Sequence, residues 1–389
     1  MKSKIFILVI IIFLVLTVAS ASYILFFSKN NNYLINNETL VIEEDNYDDN
    51  LGFSSDEVAN SASAELVSNN SAEKEKEYKF DSHLIYNKDY EIKFLFFGDL
   101  MLDRNVGTKI ERYGLDSLLH KLNDDNFTDD YDFVMANLEG AVTNGANHYL
   151  PHNLYDFAFS PEIISELKNY NFNTFTLANN HLSDQGQKGI KETYDNLSSL
   201  GYNYMGCQDA FISDTSDFPV VDDNNLDKES KIIDSSNCSA VIIEKENKKI
   251  GFLSFSIVYS AIDEDSILNK VEKLKERTDL VIVSPHWGVE YEAQARNSQV
   301  ILAHRMVDAG ADMVIGHHPH VIQNYEVYNG KPIFYSLGNF IFDQYFSKET
   351  QEGLAVSVSV KEQGISAEVY KIKTRGSEII EIIKQEKEL

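Results

Sequence analysis

The chain has 389 residues, with 61 acidic side chains against 34 lysines and arginines, for a formal charge of −27. No basic patch stands out that could release phosphate counterions, so nucleic acid is excluded as a partner. The acidity suits solubility, attraction of cations, or life beside a polyanion that must not stick.

The first element is apolar. Met1-Lys2-Ser3-Lys4 is a basic start, and an uncharged apolar run follows over 5–27. A helix needs about 20 residues to cross a bilayer, so the run is long enough. Lysines before it and acidic residues after it put the N-terminus inside. Ala19-Ser20-Ala21 looks like a signal-peptide cleavage site. The apolar run continues past that site, which favours an uncleaved anchor. Residues 1–28 are therefore expected to be a transmembrane signal-anchor, single-pass in the cytoplasmic membrane, with the C-terminal domain extracytoplasmic. Residues 29–81, rich in Asn, Ser, Asp and Glu and without periodicity, read as a disordered acidic tether. Residues 82–389 remain as the folded part.

That part alternates. IKFLFFGDLM (92–101) is a strand breaking at Gly98-Asp99, LDSLLHKLND (115–124) has helical spacing, and YDFVMANLEG (131–140) is a second strand breaking near Glu139. SPEIISELKNY starts a helix with Ser160 as N-cap and Pro161 in its first turn. FNTFTLANNH (172–181) follows as a strand, then a helix over 185–201. Cys207 and Cys238, the only cysteines, lack metal-site spacing, and whether they pair is left open. The polar stretch 211–237 reads as a surface excursion. Strand, helix and strand follow at 248–257, 267–278 and 279–288, and a helix at 299–311 leads to the strand DMVIGHHPHV (312–321). Alternating strands and helices mean an α/β domain with a largely parallel sheet. The tail differs: 331–344, 352–362 and 365–376 read as consecutive antiparallel strands. There is no internal repeat, Gly-rich phosphate loop or Gly-x-Ser-x-Gly elbow.

Five strand ends carry chemistry: Asp99, Glu139, Asn180-His181, His286, and His317-His318-Pro319-His320. Ligands of open α/β sheets bind outside the carboxyl ends of strands, so the fold would gather these residues. Each alone has an ordinary reading: Asp99 and Asn180 as turn residues, Glu139 as a partner of Arg104, His286 as a hydrogen-bonded histidine. Together, carboxylates, an amide and imidazoles form an oxygen and nitrogen set suited to a divalent metal ion: Mn, Zn, Fe or Mg.

FFGDLML, ANLEG, LANNHLSDQGQKG, HWGVEY, GADMVIGHHPHVIQ and YSLGNFIFDQ, in that order over 93–344, resemble the CapA family of capsule synthesis and poly-γ-glutamate biosynthesis proteins. That family is related to calcineurin-like metallophosphoesterases. The resemblance implies a metallo-dependent phosphatase-like sandwich of β-sheets flanked by helices. It implies Asp99, Glu139, Asn180, His286, His318 and His320 as metal ligands, and His181 as the group that protonates a leaving oxygen. Met101 stands where the wider group has a metal-binding histidine, so one position loses a ligand unless Asp103 or Asp184 substitutes. One ion is preferred over two. Asp184 is also placed to orient His181. Arg104 and Arg296 are candidate clamps for carboxylate or phosphate, Trp287 and Tyr291 an aromatic wall or core packing, and Asn339, Asp343 and Gln344 residues of the same rim.

The expected function is a membrane-anchored, metal-dependent hydrolase or transferase. It would act on an anionic envelope polymer of poly-γ-glutamate type, or its precursor, beside other membrane subunits of a synthase or export complex. The alternative is a non-catalytic accessory subunit that holds the polyanionic chain. A solute-binding or adhesion module would leave the strand-end cluster unexplained.

Overall fold

A computed structural model describes residues 90–124, 126–150, 154–207, 218–222, 239–258 and 263–386. The expected anchor and tether, and most of the polar stretch 211–237, lie outside the described residues. Among the described residues no helix is long and apolar enough to cross a membrane.

Strand β1 (Glu91–Leu100) is buried on both faces from Phe94 onward, as a near-continuous apolar run requires of a central strand. Helices α1 (Arg104–Tyr113) and α2 (Asp116–Asp124) lead to β2 (Phe133–Leu138) and the short pair β3 (Ala141–Val142) and β4 (Ala158–Phe159). Helix α3 (Pro161–Glu166) begins as expected: the Ser160 hydroxyl accepts from Ile163 N–H, and Pro161 opens the first turn. Strand β5 (Thr174–Thr176), α4 (Gly186–Ser199) and β6 (Asn203–Met205) complete the first half. After β7 (Val220–Asp222) come β8 (Ala240–Lys245), β9 (Lys248–Ser256), α5 (Glu264–Lys275), β10 (Leu280–His286), α6 (Asn297–Asp308) and β11 (Met313–Ile315). The tail holds β12 (Tyr325–Tyr328), β13 (Lys331–Phe334), β14 (Asn339–Ile341), β15 (Glu352–Lys361), β16 (Gly364–Arg375) and β17 (Glu378–Lys384). Cys207 is disulfide-bonded; the other cysteine of the chain, Cys238, lies outside the described residues.

These strands make two large sheets. One runs β17-β16-β15-β1-β2-β5-β6, with β14 against the end of β1; the other runs β12-β13-β11-β10-β9-β8-β7. β1, β2, β5 and β6 are parallel, as are β9, β10, β11 and β13, so the alternating part builds parallel cores in both sheets. Phe94 and Phe133 from the first sheet meet Phe252 of the second at ring-centroid distances of 6.4 and 5.7 Å, so the sheets pack face to face. Ile267, Val271 and Leu274 of α5 and Leu302 and Met306 of α6 cover the other face of the second sheet with Leu253, Val281 and Val283. The fold is mixed α/β, with helices outside a two-sheet core.

The tail departs from expectation. β15, β16 and β17 form the antiparallel meander, but β13 pairs parallel to β11 and β14 pairs parallel to β1. Segment 331–344 thus crosses from one sheet to the other. The crossing depends on close backbone approach: a Cβ on Gly98 would lie 1.9 Å from the Gly338 carbonyl oxygen, and Gly338 itself has φ +70°. It sets Asn339 directly beside Asp99.

Candidate metal centre

Strand β1 extends past Gly98 to Leu100, so Asp99 is held by the sheet on both sides, opposite Asn137 of β2 and Asn339 of β14. It is fully buried. The Asn137 amide donates to its Oδ1 at 2.8 Å, and the His318 backbone N–H donates to Oδ2 at 3.3 Å. His317 Nδ1 and His320 Nδ1 stand 3.3 and 3.2 Å from its two oxygens. Burial pushes the Asp99 carboxyl up, but the imidazoles of His317 and His320 beside it hold it well below the usual range.

Glu139 follows β2 and is equally buried. Its Oε2 accepts from Asn137 at 3.3 Å, whereas Oε1 has no hydrogen-bond partner. The imidazoles nearest Oε1 are His320 Nε2 at 3.6 Å and His181 Nε2 at 3.8 Å. Burial raises its pKa well above normal; His320 opposes this, while Asp99 and Glu290 add to it. A buried carboxylate oxygen facing two imidazoles without a hydrogen bond is an acceptor that lacks a donor, a place a cation can fill.

Orientation of these groups comes from a relay of amides. His181 N–H donates to Asn179 Oδ1 (3.1 Å), so Asn179 Nδ2 must donate onward, to Leu138 O (2.9 Å) and Asn137 Oδ1 (3.1 Å). Asn137 therefore turns its NH₂ toward Asp99 and Glu139. On the other side, Asn339 Nδ2 donates to Gln344 Oε1 and the Thr350 carbonyl, which leaves Asn339 Oδ1 to accept from His320 Nδ1 at 3.0 Å. His320 Nε2 is then the nitrogen free to bind a cation. Burial opposes a charge on His320, but Glu139 and Asp99 raise its pKa to about 9.

His181 and Asp184 form a pair, with Nδ1 2.7 Å from Asp184 Oδ2 and the Phe157 ring 4.2 Å from the imidazole. Burial lifts the Asp184 pKa despite the bond to His181. Asn180 Oδ1 lies 2.7 Å from His286 Nε2, and the His286 ring is 4.8 Å from that of His318. Burial lowers both imidazoles, His318 to about 3.

Among the described residues, two groups of side chains have ligand atoms within 4.8 Å of one another: Asp99, Glu139 and His320, and Glu290, His318 and His320. Buried oxygen and nitrogen donors with one unpartnered carboxylate oxygen fit a divalent cation. Neither proposed substitute for the absent first-strand histidine joins a group. Asp103 caps α1 and accepts from Ala158 N–H (2.9 Å), while Asp184 is taken by His181 and Phe157 N–H. Met101 is buried, its sulfur accepting from Asp103 N–H at 3.1 Å.

Other expected residues divide. Tyr291 is 44% exposed, with its ring 6.3 Å from His320. Arg104 lies at the Phe157 side, its guanidinium 5.6 Å from that ring and its Nε 3.2 Å from buried Asp343. Trp287 is not a wall of the site: it is 0% exposed, donates to the Tyr335 carbonyl and sits in the core under α6. Arg296 is no free clamp, because Glu292 holds it bidentately at 2.7 and 2.6 Å. Asn339 faces His320, not the mouth, and so positions a ligand. The sequence reading missed Asn137, Asn179, Phe157 and Glu290. Of these, Asn137, Asn179 and Glu290 stand inside the quoted runs ANLEG, LANNHLSDQGQKG and HWGVEY, whereas Phe157 lies outside all of them.

A model of the family described as bacterial capsule synthesis protein PGA_cap matches residues 93–344. The capsule biosynthesis protein CapA of Bacillus anthracis is 30% identical over 285 residues, covering 72% of this chain and 66% of the relative. The PGA biosynthesis protein CapA of Bacillus subtilis (strain 168) is 30% identical over 269 residues, covering 69% and 68%. The chain thus spans about two thirds of the length of these relatives. Among solved structures, one described as a novel phosphatase from Mycoplasma pneumoniae aligns with a TM-score of 0.42 at 13% identity, over 76% of this chain and 94% of that one.

Proposed function

This chain belongs to the bacterial capsule synthesis protein family, and we propose that it is a membrane-anchored, extracytoplasmic protein of envelope-polymer synthesis with a metal-dependent hydrolase site in a metallophosphatase-like sandwich. The observation that carries this reading is the buried group of Asp99, Glu139 and His320, in which Glu139 Oε1 lacks a hydrogen-bond partner. An anionic polymer of poly-γ-glutamate type, or its precursor, is the proposed substrate; family membership supports that class.

The chemistry a divalent cation supplies in such a site is Lewis-acid polarisation of a phosphoryl or carbonyl oxygen. Asp99, Glu139, His320 and His318 would hold it, with Asn180 and His286 alongside. The chain's own groups do the rest. Asp184 accepts from His181 Nδ1–H and holds the ring with Nε2 facing the site; as the imidazolium, protonated on both nitrogens, His181 would give its Nε2 proton to a leaving oxygen. Phe157 packs on that ring and shields it from water. Arg104, 38% exposed in its side chain, spends Nε on Asp343 and keeps its terminal nitrogens for a substrate anion.

A second reading is favoured by Met101: β1 supplies one ligand where two are expected, which suits an accessory subunit that binds the polymer without turnover. The two are separated by purifying the full chain, measuring bound metal and assaying generic phosphodiesters with added Mn or Zn. Turnover that vanishes in His181→Ala supports the hydrolase. Stoichiometric metal without turnover supports the accessory subunit, and a chain that takes up no metal defeats both.

A further inference from the structure

We propose that Glu290 is a ligand of the divalent cation, completing from the mouth of the site the set that β1 leaves short. The proposal rests on the metal-centre reading above and adds to it a residue outside the strand-end motifs. The Glu290 carboxylate and the imidazoles of His318 and His320 offer ligand atoms within 4.8 Å of one another. His318 is 3% exposed, and its Nδ1 has no hydrogen-bond partner. A buried imidazole nitrogen without a partner, beside a carboxylate, is independent evidence that a ligand belongs there.

The backbone that carries Glu290 is fixed. Its loop is stitched to the histidine turn on both sides: Trp287 N–H donates to His317 O at 3.1 Å, and Tyr291 N–H donates to Pro319 O at 2.8 Å. Three residues of this joint have left-handed backbone, Tyr291 at φ +67°, His318 at +98° and His320 at +57°. Non-glycine residues adopt that region at a cost and keep it where the surroundings fix them, most often at binding sites. In this joint one carboxylate and two imidazoles offer ligand atoms within 4.8 Å of one another.

His320 also limits how many ions the ligands serve. Its Nδ1 is committed to Asn339, so Nε2 alone is open, and one nitrogen binds one ion. The two groups that share His320 therefore cannot each hold a cation through it. Glu290 and His318 instead extend the ligand set of the ion that His320 holds. Two imidazoles with carboxylates suit Zn, Mn or Fe over Mg. Because Glu290 is the solvent-accessible member, it is also the ligand a substrate oxygen can displace.

The test uses the full chain, stripped with chelator and dialysed against graded Zn or Mn, with bound metal counted by mass spectrometry. Glu290→Gln and His318→Ala are each expected to weaken affinity about tenfold or more, as even outer partners of metal ligands do. Their double variant should lose less than the product of the two, since both act on one ion. Glu292→Gln, which disturbs only the pair with Arg296, should bind like wild type. Wild-type affinity in Glu290→Gln overturns this proposal and leaves the metal centre standing. A wild-type chain that binds no metal overturns both.

Discussion

At the scale of single residues, the metal centre rests on buried amides as much as on acids and imidazoles: Asn137 donates to both Asp99 and Glu139. Asp99, Glu139 and His320 each have an ordinary reading alone and are legible only together, as acids and an imidazole at the ends of successive apolar strands, whereas Glu290 lies outside those ends. Asn137 gives no such signal, since an amide inside a strand reads as an ordinary polar interruption. Yet it is 1% exposed and joins Asp99, Glu139 and Asn179. Asn137→Ala is expected to cost about 1–3 kcal/mol, because it strips two buried carboxylates and a buried amide of a partner; urea denaturation at neutral pH reads it. Asp184→Asn tests a different contact. Without the carboxylate, His181 Nδ1–H is no longer held and Nε2 loses its fixed role. The turnover number should fall about 10²–10⁴-fold, with KM and bound metal unchanged; an unaltered rate would take His181 out of the chemistry.

At the scale of elements, periodicity placed the helices other than α1 (Arg104–Tyr113) and most strands, but not their partners. The helix after Ser160 and the meander of β15 and β16 follow from cap chemistry and alternation, both local. The expectation for 331–344 failed because sheet membership is not local: the same short apolar runs suit either sheet, and β13 and β14 join different ones. Two glycines decide the crossing, and a glycine in sequence does not say what approaches it. Gly98→Ala makes that contact measurable. Its Cβ would overlap the Gly338 carbonyl, a backbone atom that cannot turn aside. The variant should lose about 3 kcal/mol or more and separate Asn339 from His320. A stability within 1 kcal/mol of wild type, on the order of a tolerated core swap, would mean that β14 moves freely against β1.

At the scale of the whole molecule, alternation of strands and helices was enough for the α/β class. The pairing of two sheets face to face was not readable from pattern and entered only through the resemblance in motifs. That pairing has a consequence for stability. Asp99 and Glu139 extend from the first sheet, while His318 and His320 follow β11 of the second, so a cation bound among them ties one sheet to the other. A ligand that binds only the folded chain stabilises it by RT ln(1 + [L]/Kd), about 2.7 kcal/mol at a hundredfold excess over Kd. For a folded part of this size the melting temperature should then rise about 5 °C or more on adding Zn or Mn, and fall back with chelator. His320→Ala removes the ligand shared by both groups and should erase the shift. Control substitutions at exposed Glu292, away from both sheets' ligands, should leave it whole. Equal melting of wild type and His320→Ala with and without metal would show that no ion joins the sheets, and that the buried acids are held by hydrogen bonds alone.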